Sequence, residues 1–349
     1  MKLAEMRRML AERGIQLTKS LGQNFLHEEK VIAKIAAAAE LTKADKVLEV
    51  GPGLGPLTEL LVVQAGEVLA IEMDARLVEL LRRRFSRQPL TPALSTVECL
   101  SPTTLTRPPA TLSRSGERGT PSDGERGGGR AVEGKVDAVG SDAAHLRGEA
   151  SPNAANLDFI HADALKFIEK NVRDWRGWKL VANMPYSVAS PILVELGLLE
   201  HGPERMVVTL QLEVAKRLKA KANEEDYGLL TLLVQLNYEP RTMFRISAGC
   251  FFPQPNVDSA CLTLVRRAKP LLTLPQTRAF VRIVKQAFSQ RRKMMAKLLR
   301  ADWPEQTVAK AMSELELSPQ IRAEAVTLVQ FVELTKIMAA DEMSQPGNS

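Results

Sequence analysis

Two short stretches of this 349-residue chain carry residue types at spacings that could do chemistry. The first is Glu49-Val50-Gly51-Pro52-Gly53-Leu54-Gly55, which follows a short, partly β-branched run and precedes a helical pattern. Glycines at such a turn let the backbone bend sharply and approach a ligand with no Cβ in the way, as a nucleotide-type cofactor loop requires. Glu72 ends the next strand-like run, 21 positions beyond Gly51, where a carboxylate can accept hydrogen bonds from both ribose hydroxyls. A glycine trio alone is explained equally well by a tight turn; the acid at this spacing favours a cofactor site. The second stretch, Asn183-Met184-Pro185-Tyr186, closes an apolar run and offers a side-chain amide, a stiffened backbone and an aromatic face. By itself it reads as an ordinary turn. Downstream of a cofactor loop it reads as a segment that holds a planar base.

The dinucleotide spacing GxGxxG is absent, which disfavours a nicotinamide dehydrogenase. GxGxG with an acid just upstream resembles the S-adenosylmethionine methyltransferases. That cofactor has no pyrophosphate, so the resemblance implies a loop lying against its amino acid and ribose. It also implies that Asp163 reads the adenine amine, although Asp163 alone is expected as the cap of a helix from Ala164 to Lys170. For such an enzyme the second stretch has a definite job. Adenine N6 is a poor nucleophile because its lone pair is delocalised into the ring. Accepting hydrogen bonds from both N6 hydrogens draws the nitrogen toward tetrahedral geometry. The expected acceptors are the Asn183 side-chain oxygen and the Met184 carbonyl; Pro185 stiffens the loop and Tyr186 offers a ring to the unstacked base. No metal is called for, and His27 and His161 are read as structural or incidental.

These residues need a scaffold, and the periodicities supply one. Leu3, Met6, Met9 and Leu10 have helical spacing that Gly14 ends; Val31, Ile32, Ile35 and Ala39 form a second helical face. Runs at 46–50, 68–72, 157–161, 179–182 and 205–210 read as strands, with helices from about Leu57, from Ala75 to Phe85 and from Val214 to Lys221. Strands alternating with helices predict an α/β fold with a mostly parallel, Rossmann-like sheet covered on both faces. From about Leu271 to Met338 the pattern is helical, with Phe280, Ile283, Val284 and Phe288 on one face and Gln290-Arg291-Arg292-Lys293 near that helix's end. The expected organisation is a methyltransferase domain over 1–267 and a smaller helical domain over 268–349. Between the Arg-rich helix and the strand before Asp163, residues 87–156 keep no period and hold nine of the 21 glycines, so they are expected as a disordered insertion.

Composition bounds the rest. A hydrophobic content of 45% suits a globular core, and a net charge of +6 mildly favours a polyanionic partner. Three cysteines, Cys99, Cys250 and Cys261, make neither a CxxC pair nor a disulfide framework, which points to a reducing cytoplasm. The N-terminus lacks the apolar core of a secretion signal, and no stretch has the length of a membrane span.

The combination Leu21-Gly-Gln-Asn-Phe-Leu26, Glu49-Val-Gly-Pro-Gly-Leu-Gly-Pro-Leu-Thr58, Asp163-Ala-Leu165, Asn183-Met-Pro-Tyr186, Gln211-Leu-Glu-Val-Ala-Lys-Arg217, Tyr227-Gly228 and Phe252-Pro-Gln-Pro-Asn-Val-Asp-Ser259 resembles the ribosomal RNA adenine dimethylases. Within them it is most similar to the small-subunit branch, and Gln290-Arg-Arg-Lys293 extends the likeness into the helical part. The resemblance implies S-adenosylmethionine contacts from Asn24, Leu26, Gly51, Gly53, Glu72, Asp163 and Asn183. It implies a substrate of two adjacent adenosines in the 3′-terminal hairpin loop of small-subunit rRNA, each receiving two methyls, on a small ribosomal subunit met by a monomer. Phe252 becomes a second face for the flipped base, and Arg291, Arg292 and Lys293 become phosphate contacts. Met184 stands where the family has Leu or Ile, which matters little for a role carried by a backbone carbonyl. A large-subunit rRNA methylase is the nearest rival, disfavoured by the long helical part; a non-catalytic ribosome-assembly factor is disfavoured by the intact Asn183 and Tyr186.

Overall fold

A computed structural model describes residues 1–15, 23–86, 156–170 and 173–344. The expected insertion therefore lies outside the described residues apart from Asn156, and so do Leu21 and Gly22. Helix α1 (Leu3–Glu12) is followed by β1 (Phe25–Leu26) and α2 (Glu29–Ala38). Then come β2 (Lys46–Val50), α3 (Pro56–Gln64), β3 (Glu67–Glu72) and α4 (Ala75–Ser86). The chain resumes with β4 (Asn156–His161), α5 (Ala164–Lys170), β5 (Trp178–Asn183), α6 (Ala189–Leu198), β6 (Arg205–Gln211), α7 (Leu212–Lys219) and α8 (Leu229–Gln235). Next are β7 (Tyr238–Ile246), β8 (Phe251–Phe252), β9 (Ser259–Arg266) and four helices, α9 (Leu274–Ala287), α10 (Met295–Leu299), α11 (Glu305–Glu314) and α12 (Leu328–Ser344).

Seven strands form one sheet in the order β4-β3-β2-β5-β6-β9-β7. The first five are parallel, as expected, while β9 runs antiparallel between β6 and β7. Their side chains divide by strict alternation. Leu48, Val50, Leu180, Ala182, Met206 and Val208 enter one core, under α5, α6 and α7. Val47, Val181 and Val207 enter the other, under α2 and α3. Burial on both faces is why these strands read as continuous apolar runs. The sequence turns at the right places for physical reasons: Gly14 ends α1 at φ +60°, and Pro56 opens α3 directly after Gly55.

Helices α9 to α12 wrap a third core around Phe280, Met295, Trp303 and Phe331, shared with Tyr227, Leu232 and Leu236 from and beside α8. Thr273 and Gln276 cap α9 reciprocally. The Tyr227 hydroxyl donates to the Val326 carbonyl at 2.8 Å, so the Tyr227-Gly228 turn ties the sheet's last helix layer to the helical part. The described parts of residues 1–91 and 153–349 form one compact unit. Among the described residues, no helix is long and apolar enough to cross a membrane.

Candidate active site

The carboxyl ends of β2, β3, β4 and β5 open onto a cleft of about 180 Å³, where parallel sheets of this kind bind ligands. Gly51, Gly53 and Gly55 all adopt positive φ, between 61° and 83°. At all three a Cβ would also crowd a neighbour, on Gly55 the Leu81 side chain at 2.9 Å. A Cβ on Gly51 would lie 3.1 Å from Pro185 Cγ, and one on Gly53 would lie 2.7 Å from the Phe25 ring. The glycine loop thus packs directly against the Asn183–Tyr186 segment on one side and the Asn24-Phe25 segment on the other. Arg84 of α4, mostly buried, holds the loop from behind by donating to the Leu54 carbonyl and pairing with Glu59.

Glu72 sits at the tip of β3, only 7% exposed. Its two oxygens accept from the Gly53 amide at 3.1 Å and the Asp74 amide at 3.0 Å, so the carboxylate is fixed toward the cleft it lines. Burial pushes this carboxyl above its ordinary range, opposed by those backbone N–H groups. Across the parallel register Glu72 faces His161, whose Nε2 donates to the Met73 carbonyl at 3.1 Å. Asp163 both lines the cleft and caps α5, its Oδ1 accepting from the amides of Leu165 and Lys166 at 3.0 and 3.2 Å.

Asn183 closes β5. Its Nδ2 donates to the Asn24 carbonyl at 2.9 Å. A carbonyl can only accept, which fixes the amide's orientation and turns Oδ1 the other way. Oδ1 is buried and has no hydrogen-bond partner among the described residues. Such an orphaned acceptor costs about 1–3 kcal/mol and marks a group waiting for a donor. Met184 is buried, anchored by its amide to the Thr209 carbonyl at 3.2 Å.

The ribosomal RNA adenine dimethylase family matches residues 14–95 and 143–340. The chain belongs to this family. Among its relatives is the ribosomal RNA small subunit methyltransferase A of Pelotomaculum thermopropionicum, 33% identical over 334 residues, covering 95% of this chain and 94% of the relative. Two solved structures share the fold: a dimethyladenosine transferase from Plasmodium falciparum (TM-score 0.61, 19% identical, 89% of this chain and 95% of that one) and the 23S rRNA methyltransferase ErmE (TM-score 0.57, 24% identical, 90% and 100%). A ribosomal RNA adenine dimethylase takes its methyl groups from S-adenosylmethionine, and the cleft suits that molecule. Glu72 would offer carboxylate oxygens to ribose hydroxyls, Gly51 and Gly53 line the cleft with backbone unobstructed by side chains, and Ile71, Met73 and Leu77 give apolar walls.

Six of the residues assigned to the cofactor on sequence grounds, Asn24, Gly51, Gly53, Glu72, Asp163 and Asn183, line this one cleft. Leu26 does not; it is buried in the core with Ile32 and Leu61, and it borders a separate small cavity beneath the glycine loop. Of the residues expected from the sequence to hold the base, Asn183, Met184 and Pro185 line the cleft, whereas Tyr186 and Phe252 stand outside it. The Tyr186 hydroxyl is 2.6 Å from Ser259 Oγ, and burial pushes the phenol up. Phe252 pairs with Phe25 across the two-stranded β1–β8 sheet, and the Arg7 guanidinium lies 5.0 Å from its ring centroid. Arg291, Arg292 and Lys293 are exposed, in the turn after α9 instead of within it, and Arg291 reaches back to the Glu225 carbonyl at 3.4 Å. Arg84 and Ser259 were not singled out by sequence: Arg84 is the last of three consecutive arginines, and Ser259 merely ends a recognised motif. Among the described residues no cluster of three or more His, Cys, Asp and Glu side chains is arranged to hold a metal ion.

Proposed function

We propose that this adenine dimethylase acts on the small ribosomal subunit, placing two methyls on N6 of each of two adjacent adenosines in the 3′-terminal hairpin loop of its rRNA. The small-subunit methyltransferase names of relatives spanning some 95% of the chain support the choice of subunit. One observation carries the chemistry: Asn183 Oδ1 is a buried acceptor with its orientation set by Asn24 and no donor of its own. When bound, S-adenosylmethionine supplies a methyl group on a positively charged sulfur. Asn183 Oδ1 and the Met184 carbonyl accept the N6 hydrogens of the flipped adenine and aim its lone pair along the line of displacement. Pro185, packed on Gly51, holds this edge against the cofactor loop. Tyr186, with its hydroxyl held by Ser259, and Phe252 flank the base, and the N6 proton leaves to solvent once the carbon–nitrogen bond has formed. Oδ1 is shielded from solvent in the present conformation, so docking of the base has to uncover it.

Residues 1–267 carry this chemistry and 268–349 carry RNA contacts, with Arg291, Arg292 and Lys293 on phosphates. The protein works as a monomer in the cytoplasm, in keeping with free thiols at Cys250 and Cys261. The test is Asn183→Ala, read by calorimetry with the cofactor and by single-turnover methylation of undermethylated small subunits. The expected result is methylation slowed by about a hundredfold or more. Wild-type methylation would end the assignment.

A further inference from the structure

Glu49 has no task in the chemistry above, yet it is among the most enclosed ionisable groups of the sheet, 1% exposed. Thr58, itself buried, donates to Glu49 Oε2 at 2.7 Å. Two positions before Glu49 and Asn183, Val47 and Val181 enter the core under α2 and α3, so by the period of a strand both polar side chains project to that same face. There they share the wall of a cavity of about 20 Å³ beneath the glycine loop, lined otherwise by Leu26, Ile32, Pro56 and Leu57 among others. That is room for about one water, which stays only where polar partners hold it. The two polar side chains among its lining residues are the Glu49 carboxyl and the Asn183 amide, whose Oδ1 is the orphaned atom already described.

We propose that Glu49 is a positioning residue for methyl transfer: its carboxyl, fixed by Thr58, is joined through a single water in this cavity to Asn183 Oδ1, and this bridge locks the amide for adenine N6. An amide oxygen has two lone pairs, so one can take the water while the other takes the N6 hydrogen. The burial that encloses Glu49 pushes its carboxyl up to about 8, aided by the nearby Glu72 and opposed by Thr58. The group acts here as a neutral hydrogen-bonding acid, in an apolar pocket that disfavours its charge. A bridge of this kind needs polarity at residue 49 and no charge.

This inference rests on the base-holding role of Asn183, and the test separates the two. Wild type, Glu49→Gln, Glu49→Leu and Asn183→Ala are compared by thermal melting, cofactor calorimetry and single-turnover methylation of undermethylated small subunits at saturating S-adenosylmethionine. Glu49→Leu is expected to slow methylation about tenfold with cofactor affinity within about threefold of wild type. Glu49→Gln, which restores a neutral polar group, should recover the rate to within about threefold. An undiminished rate in Glu49→Leu, alongside a crippled Asn183→Ala, would overturn the bridge and leave the Asn183 role standing. Lost cofactor affinity in Glu49→Gln would overturn it too, by assigning Glu49 a charged role. An undiminished Asn183→Ala would remove the foundation of both. Should Glu49→Leu fail to fold, a high-resolution crystal structure of the wild-type protein decides: an ordered water within hydrogen-bond reach of both side chains is expected, and a dry cavity refutes the proposal.

Discussion

Asn183 donates its side-chain N–H to the carbonyl of Asn24 at 2.9 Å, joining positions 159 residues apart. The consequence is directional. Because the Asn24 carbonyl can only accept, the Asn183 amide oxygen is left for another donor, and the segment before β1 becomes part of the site although it carries no reactive group. The next residue, Phe25 at the start of β1, packs against Gly53, so the Asn24-Phe25 stretch braces both the Asn183 edge and the glycine loop.

Gly51 and Pro185 make the second junction between loop and base edge. Gly51→Ala forces a left-handed conformation on alanine and a 3.1 Å approach to Pro185 Cγ. The expected cost is about 1–2 kcal/mol of stability, with methylation falling further than the melting temperature alone accounts for. Unfolding and turnover assays on the one variant check this; an unaltered melting temperature and rate would show that the junction is slack.

Glu72→Ala removes the carboxylate proposed to hold the ribose. S-adenosylmethionine binding should weaken by about 1–3 kcal/mol, from charged hydrogen bonds, in titration calorimetry of a variant that still melts cooperatively. Unchanged affinity in that variant would reassign Glu72 to bracing the Gly53 and Asp74 amides.

Tyr186 separates stacking from anchoring. Tyr186→Ala should retain the cofactor but lose base stacking of roughly 1–3 kcal/mol and further alignment. Tyr186→Phe loses only the link to Ser259, and its single-turnover rate should fall by about tenfold at most. Equal losses in the two variants would mean that the hydroxyl matters and the ring does not.

The parallel half of the sheet was legible because strands such as Val47–Val50, with Glu49 its one polar member, and Leu180–Ala182 bury side chains on both faces and run into glycine or asparagine. Strands β7 and β9 were not. In β7, Pro240, Arg241 and Thr242 interrupt the apolar pattern at a bulge in an edge strand, so neither period survives. Spacing located Glu72 and the glycines because their roles depend on backbone shape. It could not tell that Leu26 is core, that the Tyr186 hydroxyl is spoken for by Ser259, or that of Arg82, Arg83 and Arg84 only the last reaches the Leu54 carbonyl. Those facts depend on contacts between residues far apart in the chain. The helix ahead of Gln290 also stops earlier than its pattern, because Phe288 leaves helical geometry to pack between Tyr227 and Phe331.

Arg291 and Arg292 are exposed beside a core that does not need their charge. Replacing both with alanine should leave melting nearly unchanged, weaken small-subunit binding, and lower the slope of log affinity against log salt by about 1 for each lost phosphate contact. A salt titration of subunit binding checks this, and an unaltered slope would place the RNA elsewhere.

The central claim is that the Asn183–Tyr186 edge presents adenine N6 of small-subunit rRNA to S-adenosylmethionine. The most direct measurement incubates the protein with methyl-labelled S-adenosylmethionine and small subunits lacking these methyls, then maps the label by nucleotide. Label confined to N6 of two adjacent adenosines in the 3′-terminal hairpin loop, with two methyls on each and almost none with Asn183→Ala, is the predicted result. Label on another nucleotide or on large-subunit rRNA, or an unchanged pattern and rate in the variant, would contradict it.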